Sequence, residues 1–387
     1  MHDEINKTNQ QTLNDFLEKK TLFYSEININ FMKIAWEIVR LYTRPKYVIH
    51  LVGTNGKGST GRILAAYLHK KGFKTLHYSS PHILTFNERI WIDGEDVSDE
   101  ELNKNHKILQ SILSDFLLLK LTYFEYTTLL ALLISHDVDY LVLEAGLGGE
   151  FDATSVIKND LTIVTTIDFD HQEFLGNTIE AIATTKIVSA DNTIILAKQV
   201  HDEVHDIAYK IAKQKKLHCF TTNDFKYSRK TYNIFPQTFL NQNLLSVLAV
   251  LEHLKIEINF DYFKDIQIKG RCQKIAPNIT IDVGHNPLGA NVIAKEFENK
   301  KVLLVYNSLK DKDYKQVLAI LKPIIKHLYV IHIDDQRALD VHELESTLKE
   351  LEISYSEFNS ILPFHNQETL VFGSFKVVEE FLKIYEK

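Results

Sequence analysis

Tyr47-Val48-Ile49-His50-Leu51-Val52-Gly53-Thr54-Asn55-Gly56-Lys57-Gly58-Ser59-Thr60 (47–60) reads as an apolar strand, a glycine-rich turn and the opening of a helix. Gly53, Gly56 and Gly58 let the backbone turn sharply and bring amides around an anion. The helix that follows, expected from about Gly58 to Lys71, aims its N-terminal dipole at the same point, and Lys57 adds a full positive charge. Ser59 or Thr60 supplies a hydroxyl near a magnesium ion. In the usual phosphate loop the lysine directly precedes the hydroxyl residue; here Gly58 stands between them and the loop is shorter.

Outward from this stretch the alternation continues. KTLHY (74–78), YLVLEAG (140–146), LTIVTTID (161–168) and NTIILA (192–197) are short apolar runs, and NTIEAIATTKIVSA (177–190) has helical periodicity. Near-continuous apolar strands of this kind belong to a parallel sheet covered by helices on both faces, whose chemistry gathers at the C-terminal strand ends. The phosphate loop, Glu144 and Asp168 all fall at such ends. A second series runs through NITIDVGHNP (278–287), KVLLVYNS (301–308), HLYVIHID (327–334) and a helix from Phe375 to Lys387. The expected architecture is α/β: a P-loop-type, mainly parallel N-terminal domain over 1–268, then a smaller Rossmann-like α/β domain over 269–387. The first 40 residues read as helical, with Trp36 in the core.

Bulk properties narrow the function. At 387 residues, two domains are expected. The 44 basic residues are outnumbered by 51 acidic ones, which argues against a broad nucleic-acid surface. No segment has the run of apolar residues that a membrane helix requires, and the polar start MHDEINKTNQQTLNDF lacks the pattern of an export signal, so the cytoplasm is the expected compartment. Cys219 and Cys272 are too few for a disulfide framework and read as core or near-surface thiols.

Downstream residues supply what a nucleotide triphosphate site still lacks. Glu144 ends its strand where a hard oxygen ligand for magnesium is useful, and His171 follows the next strand as a second candidate ligand. Asp282 to Pro287 again ends a strand and opens a helix; its plainer reading is an Asx turn with helix capping.

At this point the chain resembles the Mur ligase superfamily, and within it the folylpolyglutamate synthase and dihydrofolate synthase branch. The resemblance rests on HLVGTNGKGST (50–60), YSSPHILTFNERIWIDG (78–94), LTYFEYTTLLAL (121–132), LEAGLGGEFDAT (143–154), IDFDHQEFLGNT (167–178), KGRCQ (269–273), IDVGHNPLGA (281–290) and NSLKDKDY (307–314). It implies ATP-driven amide formation between a dihydropteroate or reduced-folate carboxylate and L-glutamate, through an acyl phosphate, by a monomer that binds neither nucleic acid nor membrane. By motif, Thr54, Asn55, Gly56, Lys57, Gly58 and Ser59 match the triphosphate loop. Ser80 and Glu144 match ligands of one magnesium, and His171 matches a ligand of a second. Lys186 stands where the family carries a carbamylated lysine, whose modification turns an ammonium into an anionic oxygen ligand. Asn243, Arg271 and Asp282 match residues that reach ATP, while His285 and Ser374 are assigned to the glutamate end. Thr122, Tyr123, Phe124 and Glu125, with Phe151, Asp152 and Ala153, match a pteridine-binding wall.

Two departures from the family stand out. Glu150 occupies the place of an arginine after the Gly-Leu-Gly-Gly run, and Thr185-Lys186-Ile187-Val188-Ser189 keeps only the lysine of a Glu-Lys-Ala-Gly-Ile segment. The competing readings are a cell-wall Mur ligase and a nucleotide-regulated binding module. The first would carry a separate domain before the phosphate loop, and the second would have no need of the Asp282–Pro287 turn.

Overall fold

The computed structural model describes residues 12–20, 30–359 and 367–386, so the beginning of the expected N-terminal helical region and the last residue of the expected closing helix lie outside it. The chain divides into two compact units: Met1–Ser80 with Phe86–Tyr232 and Gln242–Ile266, and Pro81–Thr85 with Asn233–Asn241 and Gln267–Lys387. Two short pieces upstream of residue 267, Pro81–Thr85 and Asn233–Asn241, cluster with the second unit.

The first unit is built on an eight-stranded sheet. Its strands are β1 (Tyr47–Val52), β2 (Thr75–Tyr78), β3 (Ile90–Ile92), β4 (Glu95–Asp96), β5 (Tyr140–Glu144), β6 (Leu161–Val164), β7 (Thr193–Leu196) and β8 (His218–Thr221), in spatial order β4-β3-β2-β5-β1-β6-β7-β8. The stretch from β2 to β8 is parallel, and β3 and β4 extend one edge as antiparallel additions. Residues of β2, β6 and β7 are buried throughout, as two-sided helical cover requires. One face packs against the helices Asn30–Val39 and Tyr123–Ile134 through Val48, Leu76, Tyr78, Leu141 and Leu143, and Trp36 packs against that core. The connection from β1 to β2 uses the helix Lys57–Lys70, and β5 lies between these two strands while β6 lies on the far side of β1. The C-terminal end of β1 is thus a topological switch point, where such sheets bind ligands.

The second unit has a six-stranded sheet: β9 (Gln273–Ala276), β10 (Ile279–Asp282), β11 (Val302–Tyr306), β12 (Ile325–Val330), β13 (Tyr355–Glu357) and β14 (Thr369–Phe372), in order β13-β12-β11-β14-β10-β9. Only β9 runs antiparallel. Leu304, Tyr306, Leu328, Leu370 and Phe372 form one core; Ile281, Val305 and Val371 pack on the opposite face with Val377, Val378 and Phe381 of the helix Phe375–Tyr385. Two mainly parallel sheets with helices are the α/β architecture expected from the sequence. Both cysteines are free thiols. No described helix is long and apolar enough to cross a membrane.

Candidate active site

Parallel strands β2, β5, β1 and β6 lie side by side, so their C-terminal ends bring four segments into one row: Ser79-Ser80, Glu144, the loop Gly53–Ser59 and Thr165–His171. Leu51 pairs with Glu144 in register, which sets the carboxylate just below the loop. The close approach is possible because residue 58 is glycine: a Cβ there would stand 3.2 Å from Glu144 Oε2. That same oxygen accepts from the Ser80 amide at 3.3 Å.

The loop is held from beneath. Thr54 and Asn55 amides donate to Thr166 O at 2.9 and 3.3 Å, while Thr54 Oγ1 donates to Asp168 O at 2.9 Å and accepts from the Asp168 amide at 3.0 Å. The Thr54 and Asn55 amides are therefore engaged by the neighbouring strand end rather than turned inward. The inward donors are those of the helix start, where Gly56 takes φ +91° and no side chain caps the first turn. Unbonded amides at a helix start favour anions. Asn243 leans over the turn, with Oδ1 3.1 Å from the position a Cβ on Gly56 would take. Gly53 has φ +143°, and a Cβ would fall 2.0 Å from Thr165 Oγ1, so only glycine fits there.

Two lysines converge on one backbone oxygen. Lys57 Nζ donates to Gly53 O at 3.0 Å and to Thr54 O at 3.3 Å; Lys186 Nζ, from the helix Ile179–Ile187, donates to Gly53 O at 3.1 Å. Lys186 is buried, and burial first and the Lys57 charge second push its ammonium pKa down to about 7, with Asp170 and Asp152 opposing. A large share of Lys186 is therefore neutral amine near neutral pH, the form that reacts with carbon dioxide. His171 sits just after β6 in the left-handed conformation at φ +50°, with Nε2 3.9 Å from Asp170 Oδ2. Among the described residues no three of His, Cys, Asp and Glu form a ready-made metal cluster. Magnesium is commonly held by one or two carboxylates together with substrate phosphates, a pattern that Ser80 and Glu144 beside the loop fit.

Of the candidate pteridine residues, Phe124 and Asp152 meet at the glycine run after β5. Phe124 lies against Gly146, whose hypothetical Cβ would strike the ring at 2.6 Å. Asp152, nearly fully buried, accepts from the Leu147 amide at 2.8 Å and the Thr154 amide at 2.9 Å, and also from the Gly146 amide. Burial raises the Asp152 pKa, and these hydrogen bonds oppose it. Thr122 and Glu125 form a capping box on the helix Tyr123–Ile134: Glu125 Oε2 accepts from the Thr122 amide and hydroxyl, both at 2.9 Å. Phe151 is half exposed, Ala153 is buried at the start of a 3-10 turn, and the Tyr123 ring faces the Arg89 guanidinium at 5.2 Å. Gly149 allows the run to lie directly on the helix carrying Lys186, since a Cβ would stand 2.6 Å from Lys186 O. Glu150, in the position of the family's arginine, is exposed, and its amide donates to Thr185 O at 2.8 Å.

In the second unit the strand ends of β10, β14 and β11 gather Asp282, Ser374 and Asn307. Asp282 accepts from Cys272 N at 2.8 Å and Gly284 N at 2.7 Å; burial raises its pKa although Arg271 pulls it back. Its bond to Gly284 is an Asx turn, and Asn286 caps the next helix through Gly289 N at 2.8 Å, so the plainer reading of this segment is present in full. His285 Nδ1 lies 3.2 Å from Val283 O, and Ser374 Oγ caps the last helix through Val377 N at 3.2 Å. The Arg271 guanidinium stands 5.7 Å from the Phe375 ring centroid. Asn307 is buried, with Nδ2 donating to Ile331 O at 2.6 Å.

No family-level sequence model matches the chain. It is, however, 30% identical to the dihydrofolate synthase/folylpolyglutamate synthase of Haemophilus influenzae, over 96% of each chain. The chain belongs to the dihydrofolate synthase/folylpolyglutamate synthase family. Among solved structures it is similar to Helicobacter pylori folylpolyglutamate synthetase, with 35% identity, a TM-score of 0.77 and 97% of this chain and 98% of that one covered. It is also similar to Escherichia coli FolC in complex with DHPP and ADP, with 25% identity, a TM-score of 0.84 and 98% of each chain covered. As a member of this family the protein is an ATP-dependent ligase of glutamate.

Proposed function

We propose that this ligase joins the amine of L-glutamate to the carboxylate of dihydropteroate, and to that of a tetrahydrofolate, through an acyl phosphate. The observation that carries the reading is the convergence of Lys57 and Lys186 on Gly53 O beside an uncapped helix start, with Glu144 at Gly58. A carboxylate is a poor acylating agent. Its oxygen attacks the γ-phosphorus and ADP leaves; the unprotonated glutamate amine then attacks the acyl carbon, and phosphate departs carrying the former carboxylate oxygen. Catalysis of such steps consists of positioning anions and screening their repulsion.

Thr54, Asn55, Gly56, Lys57, Gly58, Ser59 and Asn243 are assigned to ATP on this reading, together with Arg271 and Asp282. Residues 1–268 form the ATP-binding domain and 269–387 the glutamate-binding domain, with His285 and Ser374 at the glutamate end. Magnesium would be held by Ser80 and Glu144, and a second ion by His171 and a carbamylated Lys186; the metal supplies charge neutralisation at the phosphates. The lowered ammonium pKa of Lys186 supports the carbamate, since the neutral amine is the nucleophile for carbon dioxide. Thr122–Glu125 and Phe151–Ala153 form the acceptor wall, supported by the DHPP complex of the FolC relative. The protein acts as a monomer.

With ATP, magnesium, dihydropteroate and L-glutamate the protein is expected to release ADP only when glutamate is present, and Lys57→Ala is expected to abolish release. Oxygen-18 placed in the acceptor carboxylate should appear in the released phosphate. Folded protein without glutamate-dependent turnover on dihydropteroate or tetrahydrofolate would overturn the reading.

A further inference from the structure

Behind the acceptor wall lies a buried polar chain that the ligation steps do not use. His50 is in the middle of β1, in a run of otherwise apolar residues, and is almost wholly buried, as is Thr154 in the turn Ala153–Val156. His50 Nε2 stands 2.8 Å from Thr154 Oγ1, and Thr154 Oγ1 stands 2.5 Å from Asp152 Oδ1. The groups hydrogen-bonded to Asp152 are backbone amides and this hydroxyl, all of them donors, so they complement an ionised carboxylate. The single hydroxyl hydrogen of Thr154 is thereby committed to Asp152. Toward His50 the same oxygen can only accept, which places the imidazole hydrogen on Nε2. Nδ1 is buried and has no hydrogen-bond partner among the described residues. Burial keeps the ring neutral, with its pKa pushed down to about 4. The direction of every hydrogen in the chain is thus fixed by geometry.

The consequence reaches the wall. Asp152 holds Gly146 and Leu147 by their amides, and Gly146 is the surface on which Phe124 lies. We propose that His50 and Thr154 are positioning residues for the pteridine-bearing acceptor: a His50–Thr154–Asp152 relay that locks the carboxylate and, through it, the Gly146–Leu147 backbone beneath Phe124. This inference rests on the reading of Asp152 and Phe124 as acceptor residues.

Four variants and a control test it by steady-state kinetics on dihydropteroate and on ATP. Thr154→Val keeps the shape and removes the hydroxyl, and His50→Leu removes the ring donor. Each is expected to raise the acceptor KM about tenfold, the scale for losing one buried hydrogen bond, while the ATP KM stays within about twofold. Thr154→Ser and His50→Gln, which keep a hydroxyl and an N–H, should restore the acceptor KM. Nitrogen-15 spectra should show His50 as the Nε2–H tautomer, without titration from about pH 5.5 to 8 in the parent, and a changed tautomer in Thr154→Val. Should the valine or leucine variant fail to fold, the serine and glutamine variants with the tautomer measurement still decide; an Nδ1–H tautomer in the parent sinks the relay. With Asp152→Asn impaired, an unchanged acceptor KM in Thr154→Val and His50→Leu overturns the relay alone, as does an equal rise in the ATP KM. An unchanged acceptor KM in Asp152→Asn overturns the acceptor wall itself, and the relay with it.

Discussion

Lys57 and Lys186 donate to the same acceptor, the carbonyl oxygen of Gly53, at 3.0 and 3.1 Å. Two ammonium groups sharing one oxygen cannot both be comfortable as cations, and the buried one yields. Removing Lys57 by Lys57→Ala should therefore move the Lys186 titration upward from about 7, although burial, the larger cause, keeps it below the ordinary lysine value. Nitrogen-detected lysine NMR across pH would read this. A Lys186 titration that does not move would show the two charges to be uncoupled.

The same lysine links stability to pH. Its pKa is about 7 when folded and near 10.5 when unfolded, so between those values the unfolded chain binds more protons and stability rises with pH, by up to about 1.4 kcal/mol per unit from this group. Below pH 7 the full cost of burying the amine is present. Lys186→Met should accordingly be stabilised relative to the parent most strongly at pH 6, with the gap narrowing toward pH 9. Urea midpoints of the ligand-free proteins at several pH values test this, and a gap independent of pH would contradict it.

Gly149→Ala would drive a Cβ to within 2.6 Å of Lys186 O. The backbone must shift, since neither partner is a flexible side-chain end. We expect a loss of about 1–3 kcal/mol of stability, on the scale of overpacking, together with loss of ADP release. Thermal melting and turnover, measured on the same preparation, separate the two effects.

Thr122→Ala removes one half of the capping box on the helix Tyr123–Ile134 and should cost about 1 kcal/mol, while Thr122→Ser retains most of it. Because Glu125 Oε2 is held by Thr122, the alanine variant should also raise the acceptor KM; a variant that melts lower with the acceptor KM unchanged would confine Thr122 to a structural role.

In the second unit, Asp282→Asn leaves one side-chain oxygen where two backbone amides, of Cys272 and Gly284, now donate to two. One amide then faces an NH2 group, and a destabilisation of about 1–3 kcal/mol is expected in denaturant unfolding. A neutral result would mean that the turn re-forms around a different acceptor.

The parts legible in the sequence share a physical cause. β1, β5, β6 and β7 are covered on both faces and so appear as near-continuous apolar runs, and pattern alone puts the residues after them at the ligand-binding edge. β4 and β13, with sequences Glu95-Asp96 and Tyr355-Ser356-Glu357, are short and at sheet edges, where exposure leaves no hydrophobic pattern. β14 is central and fully buried, and its run Thr369–Phe372, as long as β6 and β7, is a signal that could have been read. Within the candidate site, the glycine-rich loop is readable because its residues are consecutive. The engagement of the Thr54 and Asn55 amides by Thr166 is not, since it depends on which strand lies beside β1. His50 is hidden for a different reason: an apolar strand gives no sign that one of its members meets Thr154 across 104 positions of sequence.

The paired bonds between Thr54 and Asp168 have one further consequence. Because they join the end of β1 to the end of β6, the loop shares the stiffness of the sheet interior instead of the mobility typical of surface connections. Its conformational entropy is lost when the domain folds, not when nucleotide arrives. If the loop holds the triphosphate as proposed, the nucleotide meets a rim already in shape, and diffusion and charge rather than loop closure set the rate of its capture.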